Sequence, residues 1–292
     1  MLMQPKLLSI TVALPFLLGA CVQNQPVAPQ VLAPVQTHAA PAAPPTPVYT
    51  ASAPATWQRA GGVRTQTLPL GVKLDEFQVH SAEGAAEVQV VVFDSRQCVL
   101  RVVDQPGSQG GGGVISGLMR QSGALAGVNG GFFHPDFQPL GIFIASGQRH
   151  GQFMTNRLLS GSVLMVGQEP YLVWNSEFLG ERGVTDMIQC GPRLVDGGLP
   201  VAGLNRVKKA ARTFVATDGK RAWAIGVVRS TTLGGMADLL ASPGLLPDMQ
   251  VQRALNLDGG HSSALYARLA NGQEISRPGW STVRNYLAVV PR

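Results

Sequence analysis

Short runs of β-branched and other apolar residues recur along most of the chain, a pattern typical of a β-rich protein. The first two runs, residues 88–93 and 99–103, are separated by the turn-forming residues 94–96, and this spacing predicts a β-hairpin. Further strands are predicted at residues 125–129, 141–145, 162–166, 171–174, 213–217, 222–228, 253–257 and 286–290.

Helical periodicity is confined to two places. Residues 232–241 predict a helix whose buried face carries Leu233, Met236, Leu239 and Leu240, and residues 114–120 predict a short helix. The four consecutive glycines at 110–113 predict a loop. Many strands with few helices predict an α+β domain, single and globular, around a mixed β-sheet.

The first 20 residues have the pattern of a signal peptide. Lys6 is followed by an apolar run at 7–18, which is shorter than the roughly 20 residues needed to span a bilayer. The run ends in Leu-Gly-Ala-Cys, which resembles the lipobox of bacterial lipoproteins and implies lipidation of Cys21 and anchoring in a membrane. Val22 then implies, by the same resemblance, the outer membrane and a periplasmic location. The alternative is an ordinary signal peptide with an incidental cysteine.

Composition divides the rest of the chain in two. Residues 21–56 carry the lipidated cysteine and a segment rich in Pro and Ala without charged side chains, which predicts a disordered tether. Residues 57–292 are long enough for one large domain, or two tightly joined ones, with an ample core.

The net charge of the chain excludes few classes of partner. The chain has 23 Lys and Arg against 17 Asp and Glu, a net charge of +6, and its basic residues are scattered. Nucleic acid is therefore not an expected partner, whereas an anionic small substrate or a phosphate-bearing envelope polymer fits the modest positive balance, and charge alone does not choose between them. The oligomeric state cannot be inferred.

Two cysteines remain once Cys21 is set aside. Cys98 and Cys190 form a possible disulfide in an oxidising compartment; the alternatives are two buried thiols or a functional Cys190. The sequence has no CxxC pair or Cys/His cluster, so neither a metal site nor a cofactor is predicted. A carboxylate beside backbone carbonyls suits Ca²⁺, but no ligand spacing supports it.

Two glycine-rich segments carry the candidate chemistry. In the first, residues 127–133, an apolar run leads into Asn129, Gly130 and Gly131, and exposed amides of such a turn can bind an anion. In the second, residues 254–264, a buried strand delivers Asp258, followed by two glycines, an imidazole and two hydroxyls. The bland alternative for the second segment is a hairpin turn with a solvated histidine. Together the segments favour an active site.

Familiar catalytic motifs are absent. Residues 260–264 loosely match the nucleophile elbow of serine hydrolases, but that fold needs a histidine after the serine, and no histidine follows Ser262. Dinucleotide, nucleotide and zinc-protease motifs are not found either.

Ordered short stretches resemble the phosphodiester glycosidase family. They are Asn-Gly-Gly-Phe-Phe at 129–133, Cys-Gly-Pro-Arg-Leu-Val at 190–195, Arg-Thr at 212–213, Leu-Asp-Gly-Gly at 257–260 with Ser-Ser at 262–263, and Arg-Asn-Tyr-Leu-Ala-Val at 284–289. This chain departs from the family pattern at His261, where many members have glycine, and at Cys190, where a small residue is expected.

The resemblance implies an enzyme that cleaves the bond between a sugar and a phosphodiester or phosphate group. Asp258 would activate water or stabilise the transition state, His261 would relay a proton, and Asn129 would orient the sugar or the water. The candidates to hold the phosphate are Arg193, Arg212 and Arg284. The remaining predicted substrate-binding residues are Gly130, Gly131, Gly191, Gly259, Gly260, Ser262, Ser263 and Asn285.

A second catalytic carboxylate cannot be chosen among Glu177, Asp186 and Asp218, so the stereochemical outcome is not predicted. Two rival functions stay open. One is a lipoprotein that binds envelope glycans or phosphate without turnover, and the other is a phosphodiesterase that cleaves the P–O bond.

Overall fold

The computed structural model of the chain describes residues 55–105, 107 and 114–292. The predicted signal peptide, Cys21, nearly all of the tether and the glycine run at 110–113 lie outside these residues. In the described part no helix is long and apolar enough to cross a membrane. The boundary between tether and domain stays a prediction, and Trp57, the first residue assigned to the domain, is buried.

Two helices and many short strands make up the described part of the chain. The helices are α1 (Val114–Gln121) and α2 (Leu233–Ala241). The strands, in chain order, are β1 (Gln58–Thr67), β2 (Lys73–Ser81), β3 (Gly84–Asp94), β4 (Cys98–Asp104), β5 (Ala126–Asn129), β6 (Phe143–Ala145), β7 (Gln148–His150), β8 (Gly161–Val166), β9 (Glu169–Trp174), β10 (Val184–Cys190), β11 (Arg193–Asp196), β12 (Leu199–Pro200), β13 (Ala210–Thr217), β14 (Ala222–Thr231), β15 (Arg253–Asn256), β16 (Leu265–Arg268), β17 (Glu274–Arg277) and β18 (Asn285–Pro291).

The strands form three sheets. The first has the order β1-β2-β3-β14-β13-β15-β11-β12, the second β7-β6-β10-β8-β9, and the third β17-β16-β5-β18-β4. The α+β class with few helices is thereby confirmed. The expected mixed sheet is corrected, because every described strand pair is antiparallel and the strands are divided among three sheets.

Each predicted strand overlaps an observed one, but the predicted hairpin at residues 88–103 is wrong. β3 pairs with β2 along one edge and with β14 along the other, so neither edge is left for β4. β4 pairs with β18 in the third sheet instead. The turn between them is closed locally, since the Asp94 carboxylate accepts a hydrogen bond from the Arg96 amide.

The central strands of the first sheet are buried on both faces. In β3, Val91 and Phe93 face the main core shared with the other two sheets, whereas Val88, Val90 and Val92 face a second core. Burying each such side chain contributes about 1.5–3 kcal/mol.

The second core also receives α2. Its predicted apolar face is confirmed, with Met236, Leu239 and Leu240 buried and Leu233 partly buried against the same core. Thr232 caps the helix by accepting a hydrogen bond from the Gly235 amide at 2.8 Å.

The three sheets meet where the candidate residues lie. Asn129 ends β5 of the third sheet, Asp258 follows β15 of the first, and Cys190 ends β10 of the second. Residues that are distant in sequence therefore converge at one place.

Candidate active site

Asn129 ties the two glycine-rich turns together. Its side-chain oxygen accepts hydrogen bonds from the Thr213 hydroxyl at 2.7 Å and the Ala264 amide at 3.1 Å, and its side-chain nitrogen donates to the Asp258 carbonyl at 2.7 Å. The Asp258 amide returns a bond to the Gly130 carbonyl at 2.9 Å. Asn129 is fully buried and its side chain holds the Asp258 backbone in place, which favours a positioning role; that it orients the sugar or the water stays a prediction.

The amides of the first turn point into the protein. Gly130 donates to the backbone carbonyl of Asn285 at 2.9 Å, and Gly131 donates to the Asn285 side-chain oxygen at 2.8 Å. A Cβ at Gly130 would lie 2.0 Å from that oxygen, so the turn has no room for a side chain. The predicted anion cradle is therefore corrected. Gly130, Gly131 and Asn285 build the turn, and their bonding groups are used internally.

Asp258 stands at the start of the second turn with its carboxyl partly buried. One carboxylate oxygen accepts the Gly259 amide at 2.8 Å, and the Ser262 hydroxyl also bonds the carboxylate. Burial raises the pKa of Asp258 above its ordinary value, and the bonds from Ser262 and Gly259 only partly oppose that rise. A carboxylate that is poorly solvated in this way is a suitable base or electrostatic stabiliser.

Arg212, on the neighbouring strand β13, lies beside Gly259, the residue that follows Asp258. A Cβ at Gly259 would lie 2.9 Å from the Ala211 carbonyl oxygen and 3.8 Å from Arg212 Cδ, so glycine allows the two segments to touch. The guanidinium donates to the Lys208 carbonyl at 2.8 Å, while its Nε is buried without a hydrogen-bond partner. Burial lowers the pKa of Arg212.

Neither charged group is neutralised within the protein. Among the described residues, Asp258 and Arg212 take part in no salt bridge. A carboxylate and a guanidinium without salt-bridge partners are costly to keep, and they suit a substrate that carries both an anion and a centre of developing positive charge.

The rest of the second turn divides into outward and inward groups. Gly260 has open space around it and a left-handed φ of 63°, and the following His261 is exposed. Ser263 is buried, with its hydroxyl 3.2 Å from that of Thr213. The geometry leaves a proton-relay role for His261 as a prediction, while Ser263 belongs to the internal network.

Cys190 and Gly191 lie beneath this turn. The Cys190 thiol accepts from the amides of Phe132 and Gly191, and burial raises its pKa far above the usual range, with the Asp258 charge contributing. It is therefore a neutral thiol rather than a nucleophile. A Cβ at Gly191 would lie 2.2 Å from the Leu158 carbonyl oxygen, so this glycine allows a close approach of two backbones.

The possible disulfide between Cys98 and Cys190 is not formed. Both thiols are free and buried, in strands of two different sheets. Burial raises the pKa of Cys98 to about 11. The alternative of two buried thiols describes the structure.

Two predicted phosphate ligands are engaged elsewhere. Arg284 is buried, forms a salt bridge with Asp104 and lies over the Phe143 ring at 4.9 Å, so its charge is already compensated. Arg193 lies over the Trp174 ring at 5.3 Å and lines a separate open depression of about 420 Å³. Arg284 is paired with Asp104 and Arg193 with Asp196, and phosphate binding by these two arginines stays a prediction.

The three alternative carboxylates all have structural partners. Glu177 pairs with Arg253 at 2.6 Å, the buried Asp186 accepts the Val102 amide at 2.8 Å, and Asp218 accepts amides of its own turn. Within the described residues no group of three or more His, Cys, Asp and Glu side chains could hold a metal ion.

Sequence reasoning missed two residues at the site. Asn256 donates to the Gly191 carbonyl at 2.8 Å and so joins β15 to the segment after β10. A single asparagine at the end of an apolar strand is only a weak sequence signal for such a role. Trp280 was also missed: its amide donates to the His261 carbonyl at 2.7 Å, and its indole is exposed. An isolated tryptophan in a loop has no local pattern that marks it as functional.

Comparison with known families gives the class of this β-rich protein, a hydrolase of the glycosidase type. The model of the phosphodiester glycosidase family matches residues 122–290, which is more than half of the chain. The chain therefore belongs to the phosphodiester glycosidase family.

Two solved structures share the fold. A hypothetical protein from Synechocystis is 17% identical with a TM-score of 0.55, over 80% of this chain and 64% of that one. The catalytic domain of zebrafish N-acetylglucosamine-1-phosphodiester alpha-N-acetylglucosaminidase, auto-inhibited by its pro-peptide, is 16% identical with a TM-score of 0.53, over 84% of this chain and 86% of that one. At these identities the likeness shows the fold alone. No curated protein sequence matches the chain.

Proposed function

We propose that this protein hydrolyses the glycosidic bond between a sugar and a phosphodiester or phosphate group. The observation that carries the proposal is that Asp258 and Arg212, which have no salt-bridge partner among the described residues, belong to two segments that touch at Gly259. Family membership supports the same reaction class. The name of the zebrafish neighbour gives N-acetylglucosamine joined to a phosphodiester as the first substrate to test.

The proposed reaction breaks the bond between the anomeric carbon and the phosphate oxygen. The electron pair of that bond leaves with the phosphate, which is a good leaving group and needs little acid assistance. Arg212 binds the phosphate and offsets its charge as it departs. Asp258 takes a proton from the attacking water or stabilises positive charge on the sugar, and the water oxygen ends on the anomeric carbon.

The proposed location is the bacterial cell envelope, with a lipid on Cys21 anchoring the protein in the outer membrane. The lipobox-like Leu-Gly-Ala-Cys supports this location, and it makes envelope glycans the favoured substrates. Radiolabelled palmitate should be incorporated into the wild-type chain and not into a Cys21→Ala variant. Labelling of both forms would show that the lipid is attached at another residue. Labelling of neither form would refute the proposed lipid anchor.

Turnover of UDP-N-acetylglucosamine by the full chain in ¹⁸O-labelled water tests the reaction. Glycosidase action yields free N-acetylglucosamine with the label at the anomeric hydroxyl, together with UDP. P–O cleavage instead yields the sugar 1-phosphate and UMP, with the label on phosphorus, and supports the phosphodiesterase. Binding without turnover, measured by calorimetry for this ligand and a synthetic sugar phosphodiester, supports the non-catalytic lipoprotein. Either of these results overturns the proposal.

Variants assign the two roles. Asp258→Asn should lower kcat by about 10²–10⁴-fold, as expected for loss of an acid–base or charge-stabilising group. Arg212→Met should lower kcat/KM by about 10–100-fold, because a hydrogen-bonded charge contributes about 1.5–3 kcal/mol. Asp248→Asn and Arg96→Met are the matched controls, since both residues form exposed salt bridges on the surface. Full activity in Asp258→Asn would refute the assignment.

A further inference from the structure

Trp280 differs from every other tryptophan of the chain. The chain has four, of which Trp57, Trp174 and Trp223 are buried at 5%, 3% and 3% exposure, whereas Trp280 is 89% exposed. Leaving an indole in water forgoes the stabilisation that burial would provide. Single exposed apolar residues are common, so exposure alone does not assign a role.

The backbone around Trp280 is fixed to the catalytic turn. The amides of Trp280 and Ser281 both donate to the His261 carbonyl, at 2.7 and 3.1 Å. The neighbouring Gly279 approaches the same turn so closely that a Cβ there would lie 2.7 Å from the His261 carbonyl oxygen and 2.9 Å from that of Ser262. The loop is therefore anchored by its main chain to the turn that begins at Asp258, while the Trp280 side chain is exposed to solvent.

We propose that Trp280 is a sugar-binding residue, whose indole stacks on the apolar face of the sugar held at Asp258. This inference rests on the proposed function. An indole offers a broad apolar face with few rotatable bonds, which suits the C–H face of a pyranose ring. Arg212 approaches Gly259 from the β13 side, whereas Trp280 is fixed to His261, farther along the turn. In this arrangement Arg212 binds the phosphate of the substrate and Trp280 binds its sugar.

Tryptophan fluorescence of the full chain tests the inference directly, because Trp280 is the one exposed indole among the four. In the Asp258→Asn background, which permits binding without turnover, a sugar phosphodiester should shield the fluorescence from acrylamide. Inorganic phosphate should not. Trp280→Phe should remove the shielding signal. If the sugar ligand binds by calorimetry and leaves acrylamide quenching unchanged, the inference is overturned.

Kinetics in the otherwise wild-type chain give a second readout. Trp280→Ala should raise KM about tenfold with little change in kcat, and Trp280→Phe should restore most of the affinity, as expected for an aromatic contact. Leu179→Ala is the control, because Leu179 is fully exposed and precedes β10 at the end opposite Cys190. An unchanged KM in Trp280→Ala refutes the stacking role.

The two proposals fail in different ways. Turnover that does not depend on Trp280 leaves the hydrolase standing and removes the inference. Shielding of Trp280 by sugar without turnover supports the sugar site and removes the hydrolase. Shielding by phosphatidylglycerol vesicles but not by sugar assigns the indole to a membrane surface and overturns the inference.

Discussion

Replacing Asn129 with alanine separates its two possible roles. The three hydrogen bonds of its side chain join β5 to Thr213, Ala264 and Asp258. Thr213 keeps its contact with Ser263 at 3.2 Å when the amide is removed. The Ala264 amide and the Asp258 carbonyl lose the bonds that Asn129 gave them, and each such loss costs about 1–3 kcal/mol.

Asn129→Ala should therefore destabilise the fold by about 4 kcal/mol, which lowers Tm by roughly 8–16 °C for a domain of this size. Activity should fall as well, because Asp258 loses its support. Thermal unfolding followed by circular dichroism measures the first effect, and sugar release measures the second. Asn271→Ala, which changes an exposed turn residue, is the control and should shift Tm by little. Lost activity with an unchanged Tm would mean that Asn129 contacts the substrate and that this reasoning is wrong.

Three further perturbations test the packing of the site. Gly130→Ala would force a Cβ to 2.0 Å from a side-chain oxygen and should greatly reduce the yield of folded protein, whereas Gly117→Ala, with open space in α1, should leave Tm unchanged or raised. Because burial raises the folded-state pKa of Asp258, its ionised form weakens the fold, so Asp258→Asn should raise Tm at neutral pH. That gain should disappear as the pH falls below the unfolded-state pKa, and a gain that persists in acid would contradict the sign. Cys98 and Cys190 should escape alkylation by iodoacetamide, read by peptide mass spectrometry, until the protein is unfolded; native labelling of either would contradict their burial.

Local pattern was enough to predict most of the strands but not their partners. Runs such as 222–228 are recognisable because β-branched residues bury both faces of a central strand. β1 was missed because nearly all of its residues are exposed, and β10 was missed because it mixes polar and apolar side chains. The hairpin error has the same origin, since the spacing between β3 and β4 carries no information about which edges are already occupied.

The candidate site was also chosen from a local pattern in the sequence, which does not show the hydrogen-bond partners of its residues. Glycine next to polar side chains after a buried strand is a local signal, and it led to Asp258. The hydrogen bonds of Asn129 and Asn285 join them to partners 84 to 154 residues away in sequence. No local pattern could therefore distinguish a residue that binds substrate from one that holds two segments of the protein together. Compensation of Arg284 by Asp104, 180 residues away, was hidden in the same way.

Some residues of the candidate site hold the two turns together and others carry a charge, and this division has a consequence for substrate specificity. Three of these residues are buried and form their hydrogen bonds within the protein: Asn129, Thr213 and Asn285. Substituting them should therefore change the stability of the two turns. Asp258 and Arg212 have no salt-bridge partner among the described residues and are the proposed ligand-binding groups. The family motifs include these buried residues. A match to the family therefore indicates how the turns are built more directly than it indicates which sugar is bound. Sugar preference must then be decided by exposed groups around the turn, and substitutions there should change KM among substrates while leaving Tm nearly unchanged.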